Sequence, residues 1–408
     1  MRISFNQKYQ VNLNSILTAQ ERLQNASAKL DKQTKILTPS DDPSASARVV
    51  ALDQQISQMD QYQSNSVILR NSLDLEEAAL SNIRGTMDQA RVLTLQLGNG
   101  AYSQLDRSAI ATQLKNMRSQ IFDLMNQKDA DGGYLFSGFQ DETQAYDFDA
   151  ALGKYTYRGD EGQKKLQVSP SVALASNDSG KFVFEDVDAR RKATSPVLGG
   201  GATAAIFDIT NQSQFDDFYR QNYDALVTAN NDYSVVIDAS NNYEIQRNGA
   251  SLSPAVTGSF VSGGDISFNG LKMTVSGAGP AQVDFSLKAP EKSNILNTLS
   301  DMITAIETNQ VSGTALKEAM SDALAQIDGA AVKIDAAMSG IGGRQNLVDN
   351  IEGGNDDLQI SNKAFRADLY EVDYAEAITE LTKQETALSA VQQTFNRVTS
   401  TSLFDYLS

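Results

Sequence analysis

Few residues in this 408-residue chain are placed to do chemistry. Asp41 and Asp42 stand side by side between Pro39 and Pro43, and Asp129, Asp131 and Gly132 follow closely in KDADGG. Adjacent carboxylates can hold a divalent cation or share acid–base work, and alternating Asp residues before a Gly can begin a calcium loop. GIGGRQ, residues 340–345, has the look of a glycine loop that cradles phosphate. Each pattern falls short. A calcium loop needs further ligands and a Glu at its twelfth position, which YLFSGF does not supply. The third glycine of a dinucleotide loop would fall on Gln345, and no strand precedes it. The Asp pair has a simpler use: Asp42 is placed to cap a helix whose first residue is Pro43, and both carboxylates suit the positive end of that helix.

Composition narrows the chemistry further. The chain has no Cys, His or Trp. It therefore offers no thiol nucleophile, disulfide or thiolate metal site, and it lacks the commonest general base and transition-metal ligand. A formal net charge of −17 argues against nucleic acid and against docking on an anionic membrane. A hydrophobic content of 41% is enough for a folded core. No apolar run reaches membrane-span length, so no membrane insertion is expected. The start, MRISFNQKYQVNLNSILTAQ, lacks an apolar core followed by a small-residue cleavage site. Without other information that points to the cytoplasm.

Helical periodicity dominates both ends. Tyr9, Ile16, Leu23, Leu30 and Leu37 recur every seven residues, with Leu13, Gln20, Ser27 and Thr34 as the companion positions. Only half of that seam is apolar, which makes the helix marginal alone and suits a bundle or an assembly. Pro39 disfavours helical backbone at Thr38, so the helix is expected to end near Leu37. A second helix is expected over residues 44–97. A third should start at Ser103, with Ile110, Leu114, Met117, Ile121 and Leu124 on one face. GGYLFSGF, AYDFD, GKYTYRG and KKLQVSPSVAL read as strands between turns. Residues 176–289 become rich in Gly, Asn, Ser and Asp, with short alternating runs and one brief helix at SQFDDFYRQNYDALVTA. Helical periodicity returns at Lys292. It ends in a seam of Tyr370, Tyr374, Ala377, Leu381, Leu388, Val391, Phe395 and Val398, followed by Leu403 and Phe404.

This nearly palindromic order predicts a mainly α chain with a β insert (α+β). Its expected shape is a long antiparallel helical rod with both termini at one end. Residues 1–38 and 360–408 form a terminal stem. Residues 39–175 and 290–359 form the body, and residues 176–289 an inserted β-rich domain. Pro39, Asp41, Asp42 and Pro43 join stem to body. Residues 1–38 carry six Lys/Arg against two Asp/Glu, and residues 360–408 carry four against seven, so the end helices are electrostatically complementary.

The pieces MRIS, TPSDDPSAS, GNG, GGYLFSGF, GIGGRQN and LSAVQQTFNRVTSTSLFDYL occur in register over roughly the first 170 and last 115 residues. Together they resemble the hook-associated protein 3 family of bacterial flagellar junction proteins, in the flagellin-like superfamily. ISFNGLKMTVSG is also similar to a strand pair of hook-associated proteins. The resemblance implies a structural subunit rather than an enzyme, with no cofactor. It implies export through the flagellar type III apparatus without a cleaved signal, so the location is secreted, at the hook–filament junction. It also implies terminal helices poorly ordered in the monomer that form coiled coils in a tubular homo-oligomer. The implied partners are the preceding junction protein, flagellin and a cytoplasmic chaperone that holds the C-terminal helix. A flagellin-type filament subunit is the alternative. A carboxylate enzyme in the insert is a third reading, without the aromatic-flanked acid pairs of glycosidases.

Limited proteolysis of the monomer is expected to trim about 40 residues from each end before the body is cut. Ends as resistant as the body contradict the stem expectation.

Overall fold

The computed structural model describes residues 5–98, 102–308 and 314–404, with side chains over 7–98, 102–308 and 315–397. Long helices and one β-sheet domain make it an α+β chain. Two compact units are present: residues 1–69 with 166–174 and 346–408, and residues 70–165 with 175–345.

The first unit contains α1 (Phe5–Asp31), the first part of α2 (Pro43–Leu97), the last part of α6 (Thr314–Tyr370) and α7 (Tyr374–Phe404). Asp42 caps α2: the Ala45 N–H donates to its Oδ1 at 2.9 Å, and Pro43 opens the helix, where a missing N–H costs nothing. Met59, Tyr62 and Leu69 are buried on one face of α2, and Val348 and Asn355 on α6. Arg366 pairs with Asp53, and Gln359 donates to Asp60, so the two helices run antiparallel within this unit. Residues 166–174 turn back on themselves, and the Val168 carbonyl accepts from the Asn355 side chain at 2.9 Å.

In the second unit, the α2 seam of Leu73, Leu80, Ile83, Met87, Ala90 and Leu97 is buried, as are Ala323, Ile327, Ala330, Ile334 and Ile341 of α6. Arg84 with Asp335 and Arg91 with Asp328 again give antiparallel helices. α3 (Gln104–Met125) starts from a reciprocal capping box of Ser103 and Asp106, and it packs with α5 (Ile295–Glu307). Each fully buried Leu or Ile contributes on the order of 1.5–3 kcal/mol.

GGYLFSGF is not a strand. It is a series of turns around buried Leu135 and Phe136, and Gly138 has φ +74° where a Cβ would strike Asp160. Its alternation imitates a strand, but the left-handed glycine breaks the extended chain. The strands here are β1 (Tyr146–Asp149), β2 (Lys154–Tyr157), β3 (Lys165–Gln167) and β4 (Ala173–Ala175).

The insert builds an antiparallel sheet from β5 (Val197–Ile209), β6 (Asp232–Ile237), β7 (Asn242–Arg247), β8 (Ala250–Ser259), β9 (Asp265–Phe268) and β10 (Leu271–Ser286). The order is β5-β10-β6-β7-β8, with β9 also on β10. β10 serves three neighbours because β5 follows one edge along most of its length, while β9 takes residues 271–274 and β6 residues 281–286 of the other. The β5 pairing shifts register at Gly277 (φ +139°), where a Cβ would meet the Gly201 carbonyl. The brief helix is α4 (Gln212–Asn222), which seats Phe215, Phe218 and Tyr219 among Tyr233, Phe268 and Phe285. Arg190, almost wholly buried, ties residues preceding the sheet to Glu318 and Asp322 of α6.

Phe215→Ala is expected to cost about 3–5 kcal/mol. Thermal melts of the variant followed by near-ultraviolet tyrosine signals should shift to lower temperature, and an unchanged melt contradicts the burial of Phe215 in the sheet core.

Candidate assembly interface

The candidate site is the stem of the first unit. Its order begins at two joints. α1 ends at Asp31 rather than near Leu37, because Gln33 takes φ +57°. The Thr34 N–H then reaches the Lys29 carbonyl at 3.0 Å and the Gln33 N–H the Leu30 carbonyl at 3.2 Å, a Schellman closure without glycine. Leu37 is therefore off the helix. Its N–H and that of Thr38 each donate to Asp41 Oδ2 at 2.9 Å, which holds the Asp41 carboxyl below its ordinary range. Asp41 thus shapes the loop around exposed Pro39, while Asp42 caps α2.

The second joint lies at residues 371–373, inside what reads as one continuous C-terminal seam. Asp373 accepts from the Ala375 N–H at 2.8 Å and restarts the chain as α7. Its sequence signal was available: Asp373 lies three residues before Glu376, a cap-and-acid spacing. The two joints meet. Thr34 bridges Glu371, the Lys35 N–H donates to the Tyr370 carbonyl at 2.8 Å, and the Val372 N–H donates to the Gln33 carbonyl at 3.2 Å. Lys35 Nζ also reaches the Asp368 carbonyl at 2.7 Å.

From this junction α1 and α7 pack along each other. The inward face of α7 is Ala377, Leu381, Gln384, Leu388, Val391 and Phe395, spaced four and three. The inward face of α1 is Asn12, Ile16, Ala19, Leu23, Ala26 and Leu30 with the same spacing. Ile16, Leu23 and Leu30 are thus inward, but their companions are Asn12, Ala19 and Ala26, not Leu13 and Gln20, which are exposed. The small Ala side chains let the helix backbones approach, a signal that a search for large apolar residues passes over. Tyr9 sits at the edge, its ring 5.4 Å from that of Phe395. Tyr374 is exposed at the start of α7. Val398, Leu403 and Phe404 have side chains outside the described residues.

The seam leaves apolar surface outward. On α1, Val11, Leu13 and Leu17 are 59%, 38% and 55% exposed, and on α7 Ile378 is 52% exposed. The outward polar residues hide their hydroxyls: Ser15 donates to the Val11 carbonyl, and Thr382, Thr386 and Thr394 each donate to the carbonyl four residues back. A partner covering such a face has few hydroxyls to strip of water. Among the described residues no cluster of three metal-ligating side chains occurs, and no helix is long and apolar enough to cross a membrane.

Residues 3–141 match the bacterial flagellin N-terminal helical region. Flagellar hook-associated protein 3 of Salmonella typhimurium is 30% identical over 187 residues, which is 46% of this chain and 58% of that protein. The match therefore spans less than two thirds of that relative's length. The crystal structure of flagellar hook-associated protein 3 from Legionella pneumophila aligns with TM-score 0.58 at 25% identity, covering 79% of this chain and 98% of that one. Xanthomonas campestris FlgL shares the fold with TM-score 0.57 at 23% identity, covering 76% and 98% of the two chains.

Tyr9→Ala and Phe395→Ala should be non-additive. Their coupling in helical content and amide protection of the stem is expected at about 0.5–1.5 kcal/mol, as for aromatic pairs in contact. Strict additivity removes the ring contact from the stem.

Proposed function

Because this chain is a homologue of flagellar hook-associated protein 3 with a flagellin-like N-terminal region and fold, we propose that it is a structural adaptor joining the flagellar hook to the filament. The observation that carries this reading is the stem itself. Two complementary end helices are tied at a shared joint and leave Val11, Leu13 and Leu17 outward. Copies arranged around a tube would cover those faces, and the basic α1 region and acidic α7 region would bias each helix toward the correct mate. In the free chain the stem is marginal, since its seam relies on Ala19, Ala26 and half-buried side chains. It gains full order on assembly, when buried area offsets the lost chain entropy.

The chain leaves the cell through flagellar type III export, and a chaperone covers the α7 seam beforehand. Its neighbours in the axis are the preceding junction protein and flagellin. A chain without thiols forms no crosslink that would obstruct export in an extended state. No catalytic role enters this reading. A filament-subunit role is the second reading, favoured by the match of residues 3–141 to the flagellin helical region.

A deletion strain decides between them. Cells without the protein should carry hooks lacking filaments and release flagellin into the medium. Complementation with Leu388→Asp should fail to restore filaments, although the purified variant keeps the sheet's melting temperature, because an unpaired charge in a buried interface is costly. Normal filaments in the deletion strain rule out the junction role. A strain that assembles the junction but has no filament protein supports the filament reading.

A further inference from the structure

Glu76 on α2 takes no part in the stem. Its side chain is fully buried. Oε1 accepts the Asp178 backbone N–H at 3.0 Å, while Oε2 has no hydrogen-bond partner. Three elements meet there: α2, residues 175–178 and α6. The charged groups facing Glu76 from the other two are the Asp178 carboxylate and the Arg344 guanidinium. Arg344 is already engaged, paired with Asp178 and donating to the Ala175 carbonyl at 3.0 Å. Asp178 also accepts from Gln163 Nε2 at 2.8 Å. On α2 itself, Asp74 and Glu77 accept from the Gln345 side chain at 2.8 and 3.1 Å.

GIGGRQ therefore has a use after all. It lies within α6, and its Arg344 and Gln345 clasp the 175–178 segment and α2 respectively. The clasp borders a groove of about 450 Å³ lined in part by Phe182, Val183 and Ala337, so solvent reaches Arg344 and Asp178 but not the Glu76 carboxyl.

A buried carboxylate with one N–H donor and a carboxylate neighbour is poorly stabilised; the neutral acid is the cheaper form. We propose that Glu76 is a proton-operated lock on this clasp. With its proton, Glu76 leaves Arg344 wholly to Asp178 and Ala175, and residues 175–178 stay bound to α6. Without it, the Glu76 carboxylate competes for Arg344 and repels Asp178, and the segment loosens. Burial first, then the Asp178 charge, raises the Glu76 pKa to about 8, against opposing pulls from Arg344 and the Asp178 N–H. In a chain with no imidazole, this places a side-chain proton within the neutral to mildly alkaline range.

The sign follows from linkage. In the unfolded chain the carboxyl titrates near the ordinary 4.5, and in the folded chain near about 8. Between those values the folded state holds one more proton, so stability falls as pH rises, by up to about tenfold in the folding constant per unit. Above the folded value both states are ionised and the dependence ends.

Urea unfolding of the full chain and of Glu76→Gln, from about pH 5.5 to about 9.5, tests the linkage. The ratio of the wild-type to the variant folding constant should fall by up to about tenfold per pH unit, then level off above about pH 8. Parallel profiles overturn the proposal. The lock itself is read by tryptic cleavage after Lys181, normalised to a peptide substrate at each pH. Cleavage should rise from about pH 7 to about 9 in the wild type and stay flat in Glu76→Gln. Flat cleavage in both leaves a buried acid without a lock and also overturns the proposal. If Glu76→Gln fails to fold, the wild type is titrated by NMR: one Glu carboxyl carbon and the Asp178 amide should move together near the raised midpoint. Ordinary acidic titration of every Glu carboxyl overturns it.

Discussion

Two short segments more than three hundred residues apart in sequence are fastened by backbone hydrogen bonds, Lys35 to Tyr370 and Val372 to Gln33. Backbone pairing fixes register in a way that sliding helices cannot. Once Gln33 and Val372 are paired, the positions of Leu30 and Ala377 along the stem follow, and so does every later contact of α1 with α7. Both ends of the bridge are prepared locally, by the left-handed Gln33 on one side and the Asp373 cap on the other. The constraint is therefore a small piece of loop geometry with a long helical consequence.

The stem built on it pairs two helices through a thin seam and leaves apolar area outward. Ala19 and Ala26 permit close approach but bury little area, while Val11, Leu13 and Leu17 remain in water. A helix pair with large apolar residues on both inner faces would be more stable alone and would offer less to a neighbour. Outward Ser and Thr hydroxyls bonded to their own helix reduce what any partner has to desolvate. Low cost of desolvation and unused apolar area are what the proposed assembly role would draw on.

The second unit follows different physics. Its helices bury near-continuous seams, and its sheet closes over a dense aromatic core in which Tyr233 stacks on Phe285. Charge is used there for position. Buried Arg190 reaches two carboxylates of α6, and Arg344 of the same helix holds Asp178. Isolated removal of one partner from such an arrangement leaves a buried charge unpaired, which costs more than the pair itself contributes. Glu76 escapes that penalty by keeping its proton.

The helical extents around α2 and α5, the face of α3, the Asp42 and Ser103 caps and the short strands β1 and β2 were readable from periodicity and turn chemistry, because each depends on neighbours within a few residues. Ile16, Leu23, Leu30, Leu388 and Phe395 were readable for the same reason. The residues between them were not. Whether Leu13 or Ala19 faces inward depends on where the partner helix lies, and a one-dimensional pattern ranks a large side chain above a small one. β5 was hidden by three consecutive glycines, which lack strand propensity but sit against β10 where two backbones converge. GGYLFSGF failed as a strand because only the fold reveals that Gly138 faces Asp160.

Composition alone determined that this chain has no thiol or imidazole chemistry, and residue order alone that its ends carry opposite charge, since those are properties of residue identity and position. Helix existence came almost as directly, since the hydrogen bonds of a helix are local. Tertiary structure alone decided that Gln33 ends α1, that the two joints meet, and that the Glu76 carboxyl lies beside a guanidinium already taken. Those outcomes depend on through-space contacts between segments far apart in the chain, where burial and competition for one partner set the energy.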